Sequence, residues 1–582
     1  MTNDLVQYKD HTEIYQGAEI LIEKEDMMDI NEPVIQQKLR KSLFVINNKV
    51  QPNIVDYLNK DRLRNVAICG NLHAGKTSLI DYLISATHTD VERFTDNHIL
   101  EVDKRVSIMA APISIQLGSV KTMQFNMLDL PGHSGTIYEF QNLQLTDGCC
   151  IIIDVVEGLS MTSKASVEYS LKYNIPFVVV LNKIDRLIVE LKLPPKDAYQ
   201  KMNVVINDIN RYIIQCGGTR DHKIHPLNNN IVFSSFAHGW CFSLESFAAM
   251  YLQKSKYKMT LEQLTSKLWG NYAFKDYEFI PSNDPTSFVD FILEPLYKIY
   301  GIILGDPVDH VKAFITEMRI RLPKTVYKQS PTTIVKAVLQ QWLGDPQPLI
   351  NLISSLPSPS NDNMLQCYPS SNTVLSNAIQ KMNPTSLTII QISRIYYYED
   401  QLMALGRVLS GTLLKGDKLR HGNNEIEAFN ALYRPFSKSL ISTSKASVGE
   451  FVLMPVSENV RPHTLLVDVA FNGDIEQFVP FFIKDPKWLY IAIEPRLPSN
   501  MPMLLKKIII ITRIYPGIEF KVQDSGEYGL FSSNEFIMDC VLHDLRFLCG
   551  FDVRVSDPIA KLRETVMESS QIQSTFISPN LK

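Results

Sequence analysis

The segment that most constrains the fold is Gly70-Asn-Leu-His-Ala-Gly-Lys-Thr77, which fits the phosphate-loop pattern G-x-x-x-x-G-K-[ST] without a gap. The run 65–69 before it predicts a short buried strand, and the run 78–84 after it has leucines four residues apart, as in a helix facing a core. Glycines allow the backbone to curl until its N–H groups face the phosphates of a nucleotide, and the helix N-terminus adds partial positive charge. In such a loop Lys76 reaches the β- and γ-phosphates and the last hydroxyl holds Mg²⁺. A glycine turn that matches by chance is disfavoured by this strand–loop–helix setting.

A second motif selects the base. The apolar run 176–181 predicts a buried strand that leads into Asn182-Lys-Ile-Asp185. In N-K-x-D the aspartate accepts hydrogen bonds from the two N–H groups on the Watson–Crick edge of guanine, which adenine does not supply. A site that pairs with a particular polar group rejects analogues that lack it. The motif therefore predicts GTP rather than ATP.

A third motif, Asp129-Leu-Pro-Gly-His133, lies between the other two and follows the strand-like run 124–128. Asp129 is expected to hold Mg²⁺ through water, and the N–H of Gly132 is expected to meet the γ-phosphate. Each short match is weak alone. Their order, their spacing and the strand before each together predict a GTP-binding domain.

Composition limits the remaining possibilities. A length of 582 residues predicts three or four domains. The net charge of −4 gives no overall basic field, so RNA would be met through a local patch or through other proteins. The eight cysteines are dispersed, which fits a reducing cytosol or nucleus and argues against structural zinc. No apolar run approaches ~18 residues, so we expect no membrane span and no membrane partner.

The fold class predicted for the first half is α/β, because strands and helices alternate from residue 65 to about 300 as in a doubly wound sheet. Phosphates would then lie at the carboxyl ends of the strands. The predicted strands are 65–70, 123–129, 148–156, 176–182 and 231–235, and the predicted helices are 76–86, 162–173 and 197–214.

The predicted secondary structure changes several times in the rest of the chain. Short β-rich runs after residue 385 predict a β-barrel, and from residue 487 the order β-α-β-β-α-β predicts a ferredoxin-like domain. Residues 354–363 have the composition of a linker. The predicted regions are an acidic N-terminal arm (1–60), a GTP-binding domain with helical extension and linker (61–384), the β-barrel (385–484), the ferredoxin-like domain (485–560) and the start of a fourth domain (561–582).

The string 182–199 (Asn-Lys-Ile-Asp-Arg-Leu-Ile-Val-Glu-Leu-Lys-Leu-Pro-Pro-Lys-Asp-Ala-Tyr) resembles the translational GTPase superfamily. More narrowly, it resembles the elongation-factor-2-like GTPases of the U5 small nuclear ribonucleoprotein, the spliceosomal branch of that superfamily. Leu72-His73 within the phosphate loop, the arm segment 14–19 and the runs 288–299 and 539–546 are similar to the same branch. The resemblance covers nearly the whole chain and ends before the family's last two domains.

Carried over position by position, the resemblance implies site residues. His133 matches the residue that orients the attacking water, and Ser235 falls where a main-chain N–H touches guanine O6. Mg²⁺ would be held by Thr77, Asp129 and Ser107. The implied ligands of GTP or GDP are Gly70, Asn71, His73, Ala74, Gly75, Lys76, Thr77, Ser78, Asp129, Gly132, Asn182, Lys183, Asp185 and Ser235.

The switch segments depart from the family pattern. The first switch of the family reads Arg-Gly-Ile-Thr-Ile, whereas this chain has Lys104-Arg-Val-Ser-Ile108, so that Arg105 replaces the glycine and Ser107 the threonine. Leu130 replaces the usual threonine beside Asp129. These changes leave nucleotide binding intact in our interpretation and predict slow hydrolysis without a partner.

The resemblance implies a GTP-binding protein of the U5 particle that acts in pre-mRNA splicing in the nucleus, as a switch in spliceosome activation and disassembly. The implied partners are the large U5 scaffold protein, the helicase that unwinds U4/U6 RNA, and U5 RNA or nearby RNA reached largely through the particle. The alternative is a ribosomal translocase similar to elongation factor 2 or a ribosome-maturation GTPase, which His238-Gly-Trp favours and the N-terminal arm opposes. A scaffold that binds GTP and hardly hydrolyses it is a further alternative.

Overall fold

The computed structural model describes residues 60–560 apart from the short gaps 89–92, 119–121, 255–258, 276–277, 283–285, 366–367, 369–372, 399–400, 423–424 and 438. The predicted acidic arm up to residue 59 and the predicted fourth-domain segment 561–582 lie outside the described residues. The chain divides into two compact units, of which the first runs to Lys484 and includes Arg513–Pro516, and the second holds the remaining residues from Asp485 onward.

The first unit begins with the sheet that was expected from the motifs. Five of its strands are parallel in the order β3-β1-β4-β5-β6, and the antiparallel strands β2 and β7 flank them. All five predicted strands are present, whereas the two flanking strands were not predicted. The seven strands are β1 (Leu63–Gly70), β2 (Ala111–Leu117), β3 (Met123–Asp129), β4 (Gly148–Asp154), β5 (Phe177–Asn182), β6 (Ile231–Ser235) and β7 (Trp240–Phe242).

Helices cover this sheet, and the three predicted ones are confirmed within two residues at each end. The sheet and its helices enclose an apolar core that includes Ile68, Leu79 and Ile152. The helices up to residue 268 are Lys76–Ser85, Ile99–Lys104, Met161–Lys172, Ile184–Val189, Pro195–Gln215, Leu244–Lys254 and Leu261–Leu268, with 3-10 turns at Lys60–Arg62, Ser134–Leu145, Arg220–His222 and Pro226–Asn228.

A helical extension follows the sheet. It begins after a hairpin of β8 (Tyr272–Lys275) and β9 (Glu278–Pro281), and a π-helical turn at Val289–Leu293 leads into its first helix. Its helices are Glu294–Gly305, Val308–Glu317, Pro331–Leu343, Gln347–Ser354, Asp362–Leu365 and Thr373–Lys381, with a 3-10 turn at Val326–Lys328.

The predicted linker 354–363 has no regular structure between residues 355 and 361, but it is packed against the protein. Leu356 is buried, and Asn361 is only 1% exposed. The Asn361 side-chain amide donates to the Ile379 carbonyl at 2.8 Å and to the Leu409 carbonyl at 3.0 Å. These bonds fix the linker to both the helical extension and the domain that follows.

The next part of the first unit is antiparallel, as the β-rich runs predicted. Its strands follow the order β14-β13-β19-β10-β11-β18-β15, with β16 on β15 and a separate β12–β17 pair. Phe436 in β15 pairs with Ile113 in β2, so the two sheets of the first unit are continuous. The strands are β10 (Ile389–Tyr398), β11 (Gln401–Ser410), β12 (Leu413–Leu414), β13 (Lys418–His421), β14 (Glu425–Ala428), β15 (Leu432–Phe436), β16 (Ser439–Thr443), β17 (Lys445–Ala446), β18 (Phe451–Val456) and β19 (Leu465–Asp468).

The second unit has the predicted order β-α-β-β-α-β. Its antiparallel sheet runs β21-β22-β20-β23, with β24 also on β20, which is the arrangement of a split βαβ fold. Among the described residues, no helix of either unit is both long and apolar enough to cross a membrane. The elements are β20 (Leu489–Pro495), a 3-10 turn at Pro498–Asn500, the helix Met501–Ile514, β21 (Glu519–Val522), β22 (Tyr528–Ser532), the helix Glu535–Cys549, β23 (Val553–Val555) and β24 (Ile559–Ala560).

Candidate nucleotide-binding site

The phosphate loop joins the end of β1 to the helix Lys76–Ser85, and its two glycines cannot be replaced without strain. Gly70 has φ 146° and Gly75 has φ 105°, both in the region that favours glycine. A Cβ on Gly70 would lie 2.4 Å from the Ile152 carbonyl oxygen, and one on Gly75 would lie 2.2 Å from the Asn182 amide nitrogen. The pattern of glycines is therefore a steric requirement of this loop.

Lys76 lies inside the loop rather than in solvent. Its ammonium donates to the carbonyl oxygens of Gly70 at 3.1 Å and Asn71 at 2.7 Å, and the residue is 6% exposed. Burial lowers the pKa of Lys76 to about 8. Gly132 lies directly beside it, because a Cβ there would come within 2.1 Å of the Lys76 Nζ. The third motif and the phosphate loop thus converge on one cation.

Asp129 ends β3 beside the first turn of the helix. One oxygen of its carboxylate accepts from the Thr77 hydroxyl at 3.0 Å and from the Thr95 hydroxyl at 2.6 Å. The other oxygen, Oδ1, is buried and has no hydrogen-bond partner among the described residues. Burial raises the pKa of Asp129 to about 6. A buried carboxylate with an unused oxygen next to a hydroxyl is a donor set that suits Mg²⁺.

Asn182 ends β5 and braces the phosphate loop. Its amide nitrogen donates to the Ala74 carbonyl at 2.8 Å, and its oxygen accepts from the Phe236 N–H and the Ser234 hydroxyl, each at 3.2 Å. Asn182 is 2% exposed. The loop after β1 and the loop after β6 are therefore tied together through one side chain.

Lys183 follows Asn182 in the left-handed conformation at φ 65°. Its ammonium lies 2.9 Å from the Asp154 carboxylate at the end of β4. The segment predicted to read the base is thus fixed to a third strand of the sheet.

Asp185 has the free acceptor expected of a guanine-reading residue. Its Oδ1 is buried without a hydrogen-bond partner in the described part of the chain, and its Oδ2 lies 3.7 Å from His238 Nδ1. The same His238 nitrogen is 2.8 Å from the Tyr300 hydroxyl. Ser235 ends β6 at the same edge of the sheet and is fully buried. His238 and Tyr300 therefore support Asp185, a role that the sequence motifs did not reveal.

His133 caps the helical turn that follows it. Its Nδ1 accepts from the Gly135 N–H at 3.1 Å, so the proton of the neutral ring is on Nε2. Burial lowers the pKa of His133, which keeps the ring neutral. The bond from Gly135 therefore assigns the ring proton to Nε2 and fixes the ring at the start of the turn.

The first-switch segment lies against the phosphate loop. A cavity of about 130 Å³ is lined by Leu72, His73, Gly75, Lys76, Thr77, Ser78, Arg93, Arg105, Val106, Ser107 and Gly132. The Ser107 hydroxyl is 3.4 Å from Asp96 Oδ1. Burial raises the pKa of Asp96 to about 7. Ser107 therefore shares the cavity with Thr77, but its hydrogen bond is to Asp96 rather than to Asp129.

A larger cavity of about 580 Å³ lies away from these motifs, beside β6 and β7. Trp342, Asp345 and Glu245 are among its lining residues, and none of the predicted nucleotide ligands lines it. We infer that the smaller cavity is the candidate nucleotide site, because the glycine loop, the buried Lys76 and the Thr77 hydroxyl line it.

Sequence reasoning missed Thr95, Arg93, His238 and Tyr300. Thr95 and Arg93 lie in a stretch without a motif. The string His238-Gly-Trp indicates only a likeness to ribosomal GTPases in the sequence. The position of His238 next to Asp185 depends on the turn between β6 and β7.

A glycine loop at the end of β1, Asp129 at the end of β3 and Asn182-Lys-Ile-Asp185 at the end of β5 have the arrangement of a phosphate-loop GTP-binding domain. Residues 61–320 match the family of the elongation factor Tu GTP binding domain. The resemblance to the spliceosomal branch is confirmed by relatives that match along the chain.

Three of these relatives illustrate the match. The chain is 28% identical to the pre-mRNA-splicing factor cwf10 of Schizosaccharomyces pombe, over 100% of this chain and 63% of that protein. It is 28% identical to the 110 kDa U5 small nuclear ribonucleoprotein component CLO of Arabidopsis thaliana, over 100% of this chain and 64% of that protein. It is 29% identical to the pre-mRNA-splicing factor SNU114 of Saccharomyces cerevisiae, over 88% of this chain and 55% of that protein. The chain thus spans between about half and two thirds of the length of these relatives.

A solved structure supports the fold. A crystal structure of a protein from Thermus thermophilus has a TM-score of 0.51 and 16% identity, covering 85% of this chain and 67% of that one.

Proposed function

We propose that this chain binds GTP together with Mg²⁺ and hydrolyses it slowly to GDP and phosphate. The observation that carries the proposal is the buried Oδ1 of Asp185, which has no hydrogen-bond partner among the described residues. An unpaired buried acceptor costs folding free energy, so such an atom is kept where a ligand supplies the donors. Guanine supplies two N–H groups side by side, and adenine does not.

The residues present fit a magnesium ion. Asp129 and the Thr77 hydroxyl would hold it, and Ser107 is proposed as a further ligand when the first-switch segment closes. The ion would supply charge neutralisation between the β- and γ-phosphates. Lys76 and the Gly132 N–H would bind the same phosphates from the protein side.

His133 is proposed to position the attacking water. Because its Nδ1 accepts from the Gly135 N–H, the group that it presents is an Nε2–H donor and not a free proton acceptor. In this conformation the ring orients water without removing its proton. Catalysis then relies on positioning and charge stabilisation, which supports slow hydrolysis in the absence of a partner.

We propose that exchange of GTP for GDP changes the contacts between the two switch regions and the antiparallel domain. Tyr396 in β10 donates its hydroxyl to the Ala110 carbonyl at 2.6 Å, next to the first-switch segment. Arg407 in β11 donates to the Leu145 carbonyl at 2.9 Å, at the end of the turn that follows His133. Movement of either segment on loss of the γ-phosphate would therefore change these contacts.

We further propose that the chain acts in pre-mRNA splicing as a GTP-binding component of the U5 particle, in the nucleus. The support is the match along all or most of the chain to proteins named as splicing factors and U5 components. Its proposed partners are the U5 scaffold protein and the helicase that unwinds U4/U6 RNA, with U5 RNA reached largely through the particle.

Sequencing of the RNA that co-purifies with the tagged chain from its own cells tests the splicing proposal. We expect enrichment of U5 RNA together with U4 and U6. Enrichment of ribosomal RNA instead would overturn it and favour the translocase-like alternative. A tagged Lys76→Ala variant shows whether the association depends on nucleotide binding.

A further inference from the structure

Arg105 lines the phosphate cavity at the position where the family's first switch has glycine. It ends the helix Ile99–Lys104 and shares the cavity with Lys76, Thr77 and Gly132. The cavity is thus the phosphate end of the site, because Asp185, which faces the base, does not line it. The Arg105 side chain therefore lines the same cavity as the phosphate loop.

The backbone at Arg105 is strained. Its φ of 54° and ψ of 32° place it in the left-handed region, where glycine usually ends a helix. A bulky residue there costs free energy, and such strained residues are found preferentially at functional sites. A glycine would fit this backbone better, so the arginine is not explained by the turn itself.

The guanidinium of Arg105 makes neither a hydrogen bond nor an ion pair with any described residue, in contrast to Lys76 and Arg93. Lys76 is hydrogen-bonded to two loop carbonyls, and Arg93 is paired with Asp96. Arg105 is therefore the cavity-lining cation that has charge to give to a ligand. Its planar fork suits an oxyanion of a phosphate.

We propose that Arg105 contacts the terminal phosphate of bound GTP and stabilises the charge that develops there during hydrolysis. The inference rests on the proposed function. In the reaction, the water oxygen forms a bond to the γ-phosphorus while the bond from the γ-phosphorus to the bridging oxygen breaks, giving GDP, phosphate and a proton. Arg105 forms no covalent bond and acts by charge, as arginines supplied in cis or in trans do in other GTPases.

The test compares Arg105→Ala, Arg105→Lys and Arg105→Gly with the unmodified chain. Arg319→Gly is the matched control, because Arg319 also has a positive φ (60°) and does not line the phosphate cavity. The readouts are the affinities for a fluorescent GDP and for a non-hydrolysable GTP analogue, the single-turnover rate of GTP hydrolysis, and the thermal unfolding temperature.

We expect Arg105→Ala and Arg105→Gly to lower the affinity for the GTP analogue by roughly 10- to 100-fold. This is the range expected for the loss of one hydrogen bond between charged groups. GDP affinity should change less than about threefold, and Arg105→Lys should recover part of the loss. Glycine adopts the left-handed conformation without strain, so the unfolding temperature of Arg105→Gly should not fall. A lower affinity in this variant is then due to the missing guanidinium and not to lower stability.

An unchanged preference for the GTP analogue over GDP in the Ala and Gly variants, with an unchanged hydrolysis rate, overturns the inference while leaving the proposed function in place. Equal losses for both nucleotides would also overturn it, because they would indicate a general effect on the loop. Failure of the unmodified chain to bind either nucleotide would instead refute the proposed function.

Discussion

Arg394 Nη1 lies 2.7 Å from Glu139 Oε1, and each of the two side chains is 1% exposed. Glu139 belongs to the turn that begins after His133, and Arg394 belongs to β10 of the antiparallel domain. The pair therefore joins the turn after His133 to the antiparallel part of the first unit by a fully buried charge interaction. Burial raises the pKa of Glu139, and Arg394 opposes that rise.

Removal of one partner of this pair should be strongly destabilising. We expect Arg394→Met to lower the free energy of unfolding by about 3–5 kcal/mol, because it leaves a carboxyl buried without its cation. Since the pKa of Glu139, which burial already raises to about 7, would then rise further, the loss relative to the unmodified chain should grow as pH increases above about 7. Urea denaturation at several pH values measures both effects. The double variant Glu139→Gln/Arg394→Met should recover most of the stability, and a single variant within about 1 kcal/mol of the unmodified chain would contradict the assignment.

Binding of magnesium nucleotide should depend on pH through Asp129. Burial raises the pKa of Asp129 from its ordinary 3.8 to about 6, so the carboxylate that we propose as a ligand of Mg²⁺ is lost as pH falls through that value. Affinity for Mg·GDP should therefore decrease below about pH 6, by up to about tenfold per pH unit for one proton. The folded state without ligand binds this proton more tightly than the unfolded state, so its stability should rise as pH falls from about 6 to 4.

Two controls isolate this titration. The same binding curves in EDTA should be flat over this range if the effect is due to the metal. Asp96→Asn removes the neighbouring carboxyl, whose pKa burial raises to about 7. A pH dependence that is identical with and without Mg²⁺ would show that Asp129 is not its source.

Gly132→Ala should impair nucleotide binding without unfolding the protein. The added Cβ would lie 2.1 Å from the Lys76 Nζ and 2.7 Å from the carbonyl group of Asn71, so the lysine and the loop must shift. Overpacking of this kind costs about 1–3 kcal/mol, which corresponds to a loss of roughly 5- to 150-fold in affinity. Gly301→Ala is the matched control, because its Cβ would meet no atom within 4 Å. Equal affinities of the two variants for GDP would contradict the proposed geometry.

Much of the site could be predicted because each motif directly ends a strand. Gly70, Asp129, Asn182 and Ser235 end β1, β3, β5 and β6. Parallel strands bring their carboxyl ends to one edge of the sheet, so the chain order of these motifs was sufficient to place them together.

The remaining features depend on long-range contacts that no local pattern encodes. Thr95 reaches Asp129 from a segment without a motif, and His238 reaches Asp185 only because β7 turns back onto β6. The linker at Asn361 has polar composition, yet its amide is buried between two carbonyls. The β-rich runs after residue 385 indicated strands there, but they could not predict that β15 would pair with β2.

The most direct test of the account is the base specificity of Asp185→Asn, measured by competition of GTP, ATP and xanthosine triphosphate against a fluorescent GDP. The unmodified chain should prefer GTP over ATP by roughly 10⁴-fold or more, as expected when a buried polar group is left unpaired by the wrong base. The variant should lose affinity for GTP and gain affinity for the xanthosine nucleotide, because an asparagine complements the xanthine edge. The claim that this site reads guanine would be contradicted if the variant lost affinity for all three nucleotides without this change of preference. It would also be contradicted if the unmodified chain did not distinguish GTP from ATP.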